Sequence, residues 1–325
     1  MKMYRRMVLA AAGAVAMMAA LPAVADDFPG GPVTLIVPWG AGGGTDATAR
    51  MIGTLLQGEL GVPVAVENRT GGSGVIGHSA IADAEPDGRT IGVATLEIGT
   101  MHNLGLTDLT YTAYTPLGLY NADPAALFVR SDSPHADVQA LIAALTAAPD
   151  REFKASGSAQ GGVNHLAMAG MLLAAGLPAE RVAWVPSEGA APGLQDLAAG
   201  GVQIATASLP EAEALMGAGL IRPLAVFSAA RMPNAPDVPT FNEATGKDFT
   251  MGSWRGLVAP AGVPQDRVDV LTTALTKVMQ NPDYTGFMEG RGYAMQWTTG
   301  ADFEAFMKTS DATLSGTLKA VGLAK

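Results

Sequence analysis

The sequence contains no cysteine. Disulfides, thiolate metal sites and thiol redox chemistry are therefore excluded at the outset. Positive charge is scarce too: 20 Lys and Arg stand against 30 Asp and Glu, for a formal charge of −10. A nucleic-acid face needs clustered basic residues, and an anionic membrane surface favours them as well; no such stretch is present. Beyond the N-terminus, no apolar run is long and unbroken enough to cross a bilayer. The histidines, His78, His102, His135 and His165, show no metal-ligand spacing, so no metal is expected. There is no G-x-S-x-G nucleophile elbow. An acidic chain can still hold a small anion where backbone dipoles face it.

The first residues read as a leader. Lys2, Arg5 and Arg6 precede "MVLAAAGAVAMMAA", an apolar core too short to span a bilayer comfortably, and Ala23-Val24-Ala25 is a small-x-small cleavage site. Residues 1–25 are thus expected to be a secretory signal peptide, which places the mature chain in the periplasm. Arg5-Arg6 fits the twin-arginine pattern poorly, and with no cysteine after the cleavage site a lipid anchor there is excluded. The mature chain exceeds what one core usually holds, so two domains are expected.

Strand-like runs alternate with helix-like ones from end to end. The former are "VTLIV" (33–37), "VAVEN" (64–68), "TIGVAT" (90–95), "ALFV" (126–129), "FKAS" (153–156), "VAWV" (182–185), "VQIAT" (202–206) and "PLAVF" (223–227). Met51, Ile52, Leu55, Leu56 and Leu60 repeat at helical spacing, as do Val270, Leu271, Ala274, Leu275 and Val278. The alternation predicts α/β layers with largely parallel sheets, whose ligands sit beyond the carboxyl ends of the strands.

Those strand ends are unusual. "VPWGAGGGTDATAR", "NRTGGSGVIGHSAIA", "KASGSAQGGVNHLAMAG" and "VPSEGAAPGLQDLAAGG" each run from a strand through a small-residue loop into a helix. Each presents free backbone N–H groups at the positive end of a helix dipole, a ready anion site. One such loop is commonplace in α/β proteins, but four in one chain carry weight. Two extended, proline-bearing segments, 119–130 and 248–260, are long enough to join two halves with a cleft between them, which suits hinge closure about a ligand.

Other motifs have duller readings. Gly72-Ser73-Gly74-Val75-Ile76-Gly77 is a literal G-x-G-x-x-G, with Glu97 placed 20 residues beyond its last glycine as an acid for a ribose. It follows the second strand rather than opening the fold, and an exported protein meets little NAD, so no cofactor is expected. Ser158 and His165 with Asp196 or Asp46 lack the strand–Ser–helix context of a hydrolase. His165, beside Asn164 at a helix start, reads as a capping group or as a donor to a bound anion. Trp39 and Trp254, which precede or follow glycines at junctions expected to face the cleft, read as pocket walls, whereas Trp184 and Trp297 read as core.

Taken in order, "VTLIVPWGAGGGTDATAR", "VPVAVENRTGGSGVIGHSAIADAEPDGRTIG", "KASGSAQGGVNHLA", "WVPSEGAAPGLQDLAAGGV", "SWRGLVAP" and "LAVFSAARMPNAPDVPTFNEATG" resemble the periplasmic solute-binding receptors of tripartite tricarboxylate transporters, the Bug family. The resemblance implies an α/β, two-lobed periplasmic-binding-protein fold of the Venus-flytrap type II kind. It implies lobe 1 at 26–123, lobe 2 at 124–250 and a return to lobe 1 with C-terminal helices at 251–325. It further implies a monomeric receptor, not an enzyme, that passes a small carboxylate to membrane permease subunits without itself inserting into the membrane. In this family the carboxylate is typically gripped by backbone amides and bridging water rather than by a buried arginine.

Carried over by position, the resemblance implies a site formed by Trp39, Ala41, Gly42, Gly43, Thr45, Asp46 and Thr70 from the first glycine loops. Leu96, Glu97, Ser208 and Trp254 form further walls, and Ser158, Gln160, Gly161, His165, Ser187 and Glu188 come from the second lobe. Where many members carry Tyr-Lys-Gly, this chain has Ser187-Glu188-Gly189, and Gln203 or Ala207 stands where an aspartate is common. Loss of a base and gain of Glu188 point to a ligand with one gripped carboxylate and a far end that is polar, amino-bearing or cation-chelated. The alternatives are a receptor of the same fold feeding a signalling partner, and an exported α/β enzyme.

Overall fold

The structure, a computed structural model, describes residues 28–325; the leader read over 1–25 lies outside the described residues. The chain runs β1 (Val33–Val37), α1 (Gly44–Leu60), β2 (Val64–Asn68), α2 (Val75–Ala82), β3 (Thr90–Thr95), β4 (Tyr114–Arg130), α3 (Val138–Ala147), β5 (Lys154–Ser156), α4 (Val163–Ala175) and β6 (Ala183–Trp184). It continues through α5 (Ala190–Ala199), β7 (Ile204–Ser208), α6 (Leu209–Gly217), β8 (Ile221–Val226), α7 (Phe241–Thr245), β9 (Gly252–Pro260), α8 (Gln265–Gln280), α9 (Pro282–Gly290), β10 (Met295–Thr298) and α10 (Gly300–Ala320).

Two sheets result, each the centre of a lobe. In the first, β2, β1 and β3 are parallel, with Leu35 opposite Val66 and Ile91. β9 then joins β3 antiparallel, with Gly92 opposite Val258, and β4 joins β9 from Tyr114 opposite Pro260 to Pro124 opposite Gly252. β10 closes the far side of β4. In the second sheet, β5 lies parallel to β6 and β7, and β4 lies antiparallel to β7 and β8.

The sheets are therefore mixed rather than largely parallel. The parallel βα units lie within each lobe, and each antiparallel ladder has β4 or β9 as a member. β4 belongs to both sheets, with Tyr114–Pro124 in the first and Ala125–Arg130 in the second. Its register against β9 shifts between Pro116 and Gly118, a bulge that accommodates a proline within a strand.

Helical stripes pack as the spacing requires. Ile52 and Leu56 of α1 are fully buried against Leu271, Leu275 and Val278 of α8. Val270, read as part of that stripe, turns outward and is 40% exposed. The second lobe buries Leu127, Leu141, Ile204 and Phe241 in its own core. A further cluster crosses the lobes: Val163, Leu166 and Ala169 of α4 pack with Leu96, Met101, Leu104 and the α10 residues Leu314 and Leu318. Trp297 packs on the first core, as expected, and its indole donates to Thr276.

Candidate ligand cleft

The cleft forms where strand ends of both lobes meet. After β1, the loop turns at Gly42, whose φ of +83° lies in the left-handed region that favours glycine. Gly43 caps α1 without a side chain, so no side-chain oxygen takes up the first N–H groups of that helix. Asp46 braces this loop instead of walling the cleft. It accepts from Gly42 N at 2.9 Å, Arg50 Nε at 3.1 Å and Asn68 Nδ2 at 2.9 Å. Burial opposes its ionisation, yet these bonds hold its carboxyl below the usual range.

The opposite wall is α5, capped by Gly189, again with no side-chain cap. A β-carbon at residue 43 would stand 4.0 Å from Ala191 Cβ, so the N-termini of α1 and α5 face each other across the lobes. The lobes touch here: Gly40 N donates to Glu188 O at 3.0 Å, and Thr70 Oγ1 donates to Glu188 Oε2 at 3.1 Å. The cavity between them measures about 40 Å³ and is lined by residues of both lobes, among them Trp39, Gly43, Thr45, Glu97, Ser158, Asn164, Glu188 and Ala191.

Arg255, on β9, forms the floor. It is 2% exposed and donates to Thr45 Oγ1 at 3.0 Å, Asp123 Oδ2 at 2.9 Å, Glu211 Oε1 at 2.8 Å and Asn121 Oδ1. Its pKa is raised: burial alone would lower it, and the charges of Glu211 and Asp123 prevail. Asp123 is pushed up by burial, with Arg255 pulling the other way. Glu211 also accepts from Ser208 N at 3.0 Å and Ser208 Oγ at 2.9 Å, a capping box that starts α6.

Glu97 sits in a 3-10 turn, Leu96–Gly99, just past β3. It is 3% exposed; Thr95 Oγ1 donates to its Oε2 at 2.6 Å and Val163 N to its Oε1 at 3.1 Å. Burial raises its pKa, against the pull of those bonds and of Arg255. Trp39 Nε1 donates to Thr95 Oγ1 at 3.2 Å, so the indole both walls the cleft and holds the threonine.

Of the residues read from the sequence, the structure brings Trp39, Gly43, Thr45, Glu97, Ser158, Glu188 and Trp254 to the cavity. Thr70 reaches it through Glu188, and Ser208 through Glu211. Ala41 and Gly42 are exposed loop positions outside it, and Ser187 turns its hydroxyl to Gly189 O at 2.9 Å. Leu96 faces a separate cavity behind the two crossover strands. Gln160 and His165 open on a third, beside Arg151 and Trp184. Gly161 N donates to His165 Nδ1 at 2.9 Å, the ring stacks on Trp184, and burial lowers its pKa to about 4, so it is neutral near pH 7. The buried Gly161 packs on Leu104 rather than on the cleft.

Thr95, Asn164, Glu211 and above all Arg255 also line the cavity and are not among the residues expected from the sequence. Arg255 stands alone in "SWRGLVAP", and a lone arginine in an otherwise apolar stretch is the available signal. No group of three His, Cys, Asp or Glu placed to hold a metal ion occurs among the described residues, and no helix among them is long and apolar enough to cross a membrane.

A two-lobed α/β fold with helix N-termini converging on an interlobe cleft defines a binding protein of the periplasmic type. Residues 48–323 match the receptor family of tripartite tricarboxylate transporters, TctC, and the chain belongs to that family. A relative from Pseudomonas sp. (strain P51), a UPF0065 protein in the tcbD-tcbE intergenic region, is 33% identical over 79% of this chain and 76% of its own. Among solved structures, the periplasmic binding protein BugD superposes with a TM-score of 0.85 at 28% identity, covering 92% of this chain and 100% of that one. Rpa4515 of R. palustris with adipate gives 0.85 at 31% identity, over 91% and 99% of the two chains.

Proposed function

We propose that the chain is the receptor that captures a small organic acid by a carboxylate and presents it to permease subunits of a tripartite tricarboxylate transporter. The observation that supports it most is the pair of uncapped helix N-termini, α1 at Gly43 and α5 at Gly189, opposed across the cleft. Both direct backbone N–H groups and the positive end of a helix dipole at one place, which suits an anion in an acidic protein. Thr45 Oγ1 already accepts from Arg255, which leaves its own O–H to donate into the cavity. The adipate bound to Rpa4515 belongs to the same chemical class.

Capture follows from the cross-lobe geometry. A carboxylate held by α1 and α5 together touches both lobes only when they are closed, so it binds the closed state better and shifts the population toward it. In this reading residues 1–25 direct export and are removed. Isothermal titration of the mature chain with adipate, malate, succinate and monocarboxylates, with and without divalent cations, tests it. Saturable binding confined to carboxylates supports the reading, and binding only of sugars or nucleotides sinks it.

A further inference from the structure

Glu97 belongs to the first lobe, yet its carboxylate ends on a helix of the second. Val163, whose N–H it accepts at 3.1 Å, is the first residue of α4. Gly162, the N-cap of that helix, supplies no side-chain cap. A β-carbon at residue 162 would come within 3.1 Å of Glu97 Oε1 and 2.9 Å of Ser158 Oγ, so glycine there leaves the carboxylate its place. On the other side Glu97 is fixed by Thr95 Oγ1 at 2.6 Å, which Trp39 Nε1 holds in turn. His78 Nε2 lies 3.4 Å from the same hydroxyl. A helix N-terminus that opens on the ligand cavity is thus occupied by a carboxylate of the protein itself.

The charges around the cavity point the same way. Among the described residues its wall carries Glu97, Glu188 and Glu211 and one base, Arg255, which is already bound to Glu211 and Asp123. A second ligand carboxylate entering beside Glu97 would meet like charge with no uncommitted cation to offset it. An ammonium or a neutral polar group meets acceptors.

On the reading of this cleft as a carboxylate receptor, we propose that Glu97 stands in for a ligand carboxylate. It fills the anion position at α4, bridges the lobes there, and restricts the captured molecule to a single carboxylate. That carboxylate lies between α1 and α5, and the far end, ammonium or neutral, lies toward Glu97.

Matched probes test this. Adipate and 6-aminohexanoate share a carbon count, as glutarate and 5-aminopentanoate do, and in each pair one terminal carboxylate is exchanged for an aminomethyl group that places an ammonium at the same end. Each is titrated calorimetrically into the mature wild-type chain, Glu97→Gln and Glu97→Ser, with far-UV circular dichroism and thermal unfolding confirming that each variant folds. Glutamine keeps the shape and removes the charge; serine clears the helix terminus. Wild type is expected to bind the amino member of each pair at least about tenfold tighter than the diacid, Glu97→Gln to narrow that ratio, and Glu97→Ser to reverse it. A wild type that prefers the diacid, or a ratio that stays within threefold in both variants while carboxylates still bind, overturns the role of Glu97 and leaves the receptor reading intact. Absence of binding by every carboxylate to all three folded proteins overturns the receptor reading, and this inference with it.

Discussion

Arg255 Nη2 and Glu211 Oε1 stand 2.8 Å apart, and the bond between them joins β9 of the first lobe to α6 of the second. The same guanidinium holds Asp123 at 2.9 Å on β4, close to where that strand passes from one sheet to the other. One buried cation therefore ties the crossover, the cleft floor and the second lobe.

Replacing Arg255 with methionine leaves Asp123 buried without its counter-charge. Breaking a buried pair in this way costs about 3–5 kcal/mol, and urea unfolding of Arg255→Met is expected to show a loss in that range. Adding Asp123→Asn to the same chain should recover a substantial part of it. A loss below about 1 kcal/mol would show that the network is not what secures the floor.

Gly44 and Gly43 are adjacent but not equivalent. A β-carbon at 44 would stand 2.9 Å from both Arg255 Nη2 and Glu211 Cγ, whereas at 43 the nearest atom is 3.6 Å away. Gly44→Ala therefore has to displace the locked pair, at about 1–3 kcal/mol, and is expected to weaken ligand binding roughly tenfold or more. Gly43→Ala leaves that pair in place and puts its methyl toward Ala191, where the carboxylate is held, so it is expected to weaken binding with little loss of stability. Equal losses of stability in urea unfolding of the two variants would contradict this placement.

Glu188 is exposed and its cross-lobe partner is Thr70, whereas Glu97 is buried. Exposed bonds between lobes contribute about 1 kcal/mol or less. Glu188→Gln should shift ligand affinity by no more than about fivefold without changing which class of acid is preferred. A change of ligand class on this substitution would move the specificity element from Glu97 to Glu188.

Two buried histidines and a buried glutamate give opposite pH signatures. His78 is fully buried, its Nδ1 bonds Gly74 O at 2.8 Å, and burial lowers its pKa from 6.5 to about 4. Its contribution is fully present above pH 6.5 and is lost as pH falls toward 4, on the order of 3 kcal/mol over that window. His165, lowered to about 4 by burial as well, adds a second loss of the same sign. Glu97 is raised instead, so its contribution is present below its ordinary value of 4.5 and is lost as pH rises through its folded value. Denaturant titrations of wild type against His78→Asn should differ in slope between pH 4 and 6.5. The stability of Glu97→Gln relative to wild type should grow as pH rises above 4.5. Parallel curves for either pair would show that the group titrates as it does in water.

Much of the α/β frame is legible in the sequence because its signals are local. "VTLIV" lies between Pro32 and Pro38, "VAVEN" follows Pro63 and "TIGVAT" follows Gly88-Arg89, and all three form strands at those positions. The first half of β4 and all of β10 carry no such signal. Pro116, Gly118 and Pro124 interrupt β4, and "MQWT" is too short and polar to stand out; both are made strands by their neighbours. The site divides similarly. Gly43, Thr45, Glu97 and Glu188 follow from position at strand ends. Arg255 does not, because its partners at 45, 121, 123 and 211 converge only in three dimensions. Gln160 lies in the right loop and His165 in the first turn of α4, but both open on the opposite side from Ser158 and Val163.

Whether the cleft takes a carboxylate is decided by thermal unfolding of the refolded, ligand-stripped mature chain against small carboxylates, sugars and nucleotides. At about a hundred times its dissociation constant a ligand adds roughly 2.7 kcal/mol, a rise of several degrees. That rise is expected for carboxylates alone, and Gly44→Ala is expected to diminish it. A rise with a sugar or nucleotide and none with any carboxylate would contradict a carboxylate site.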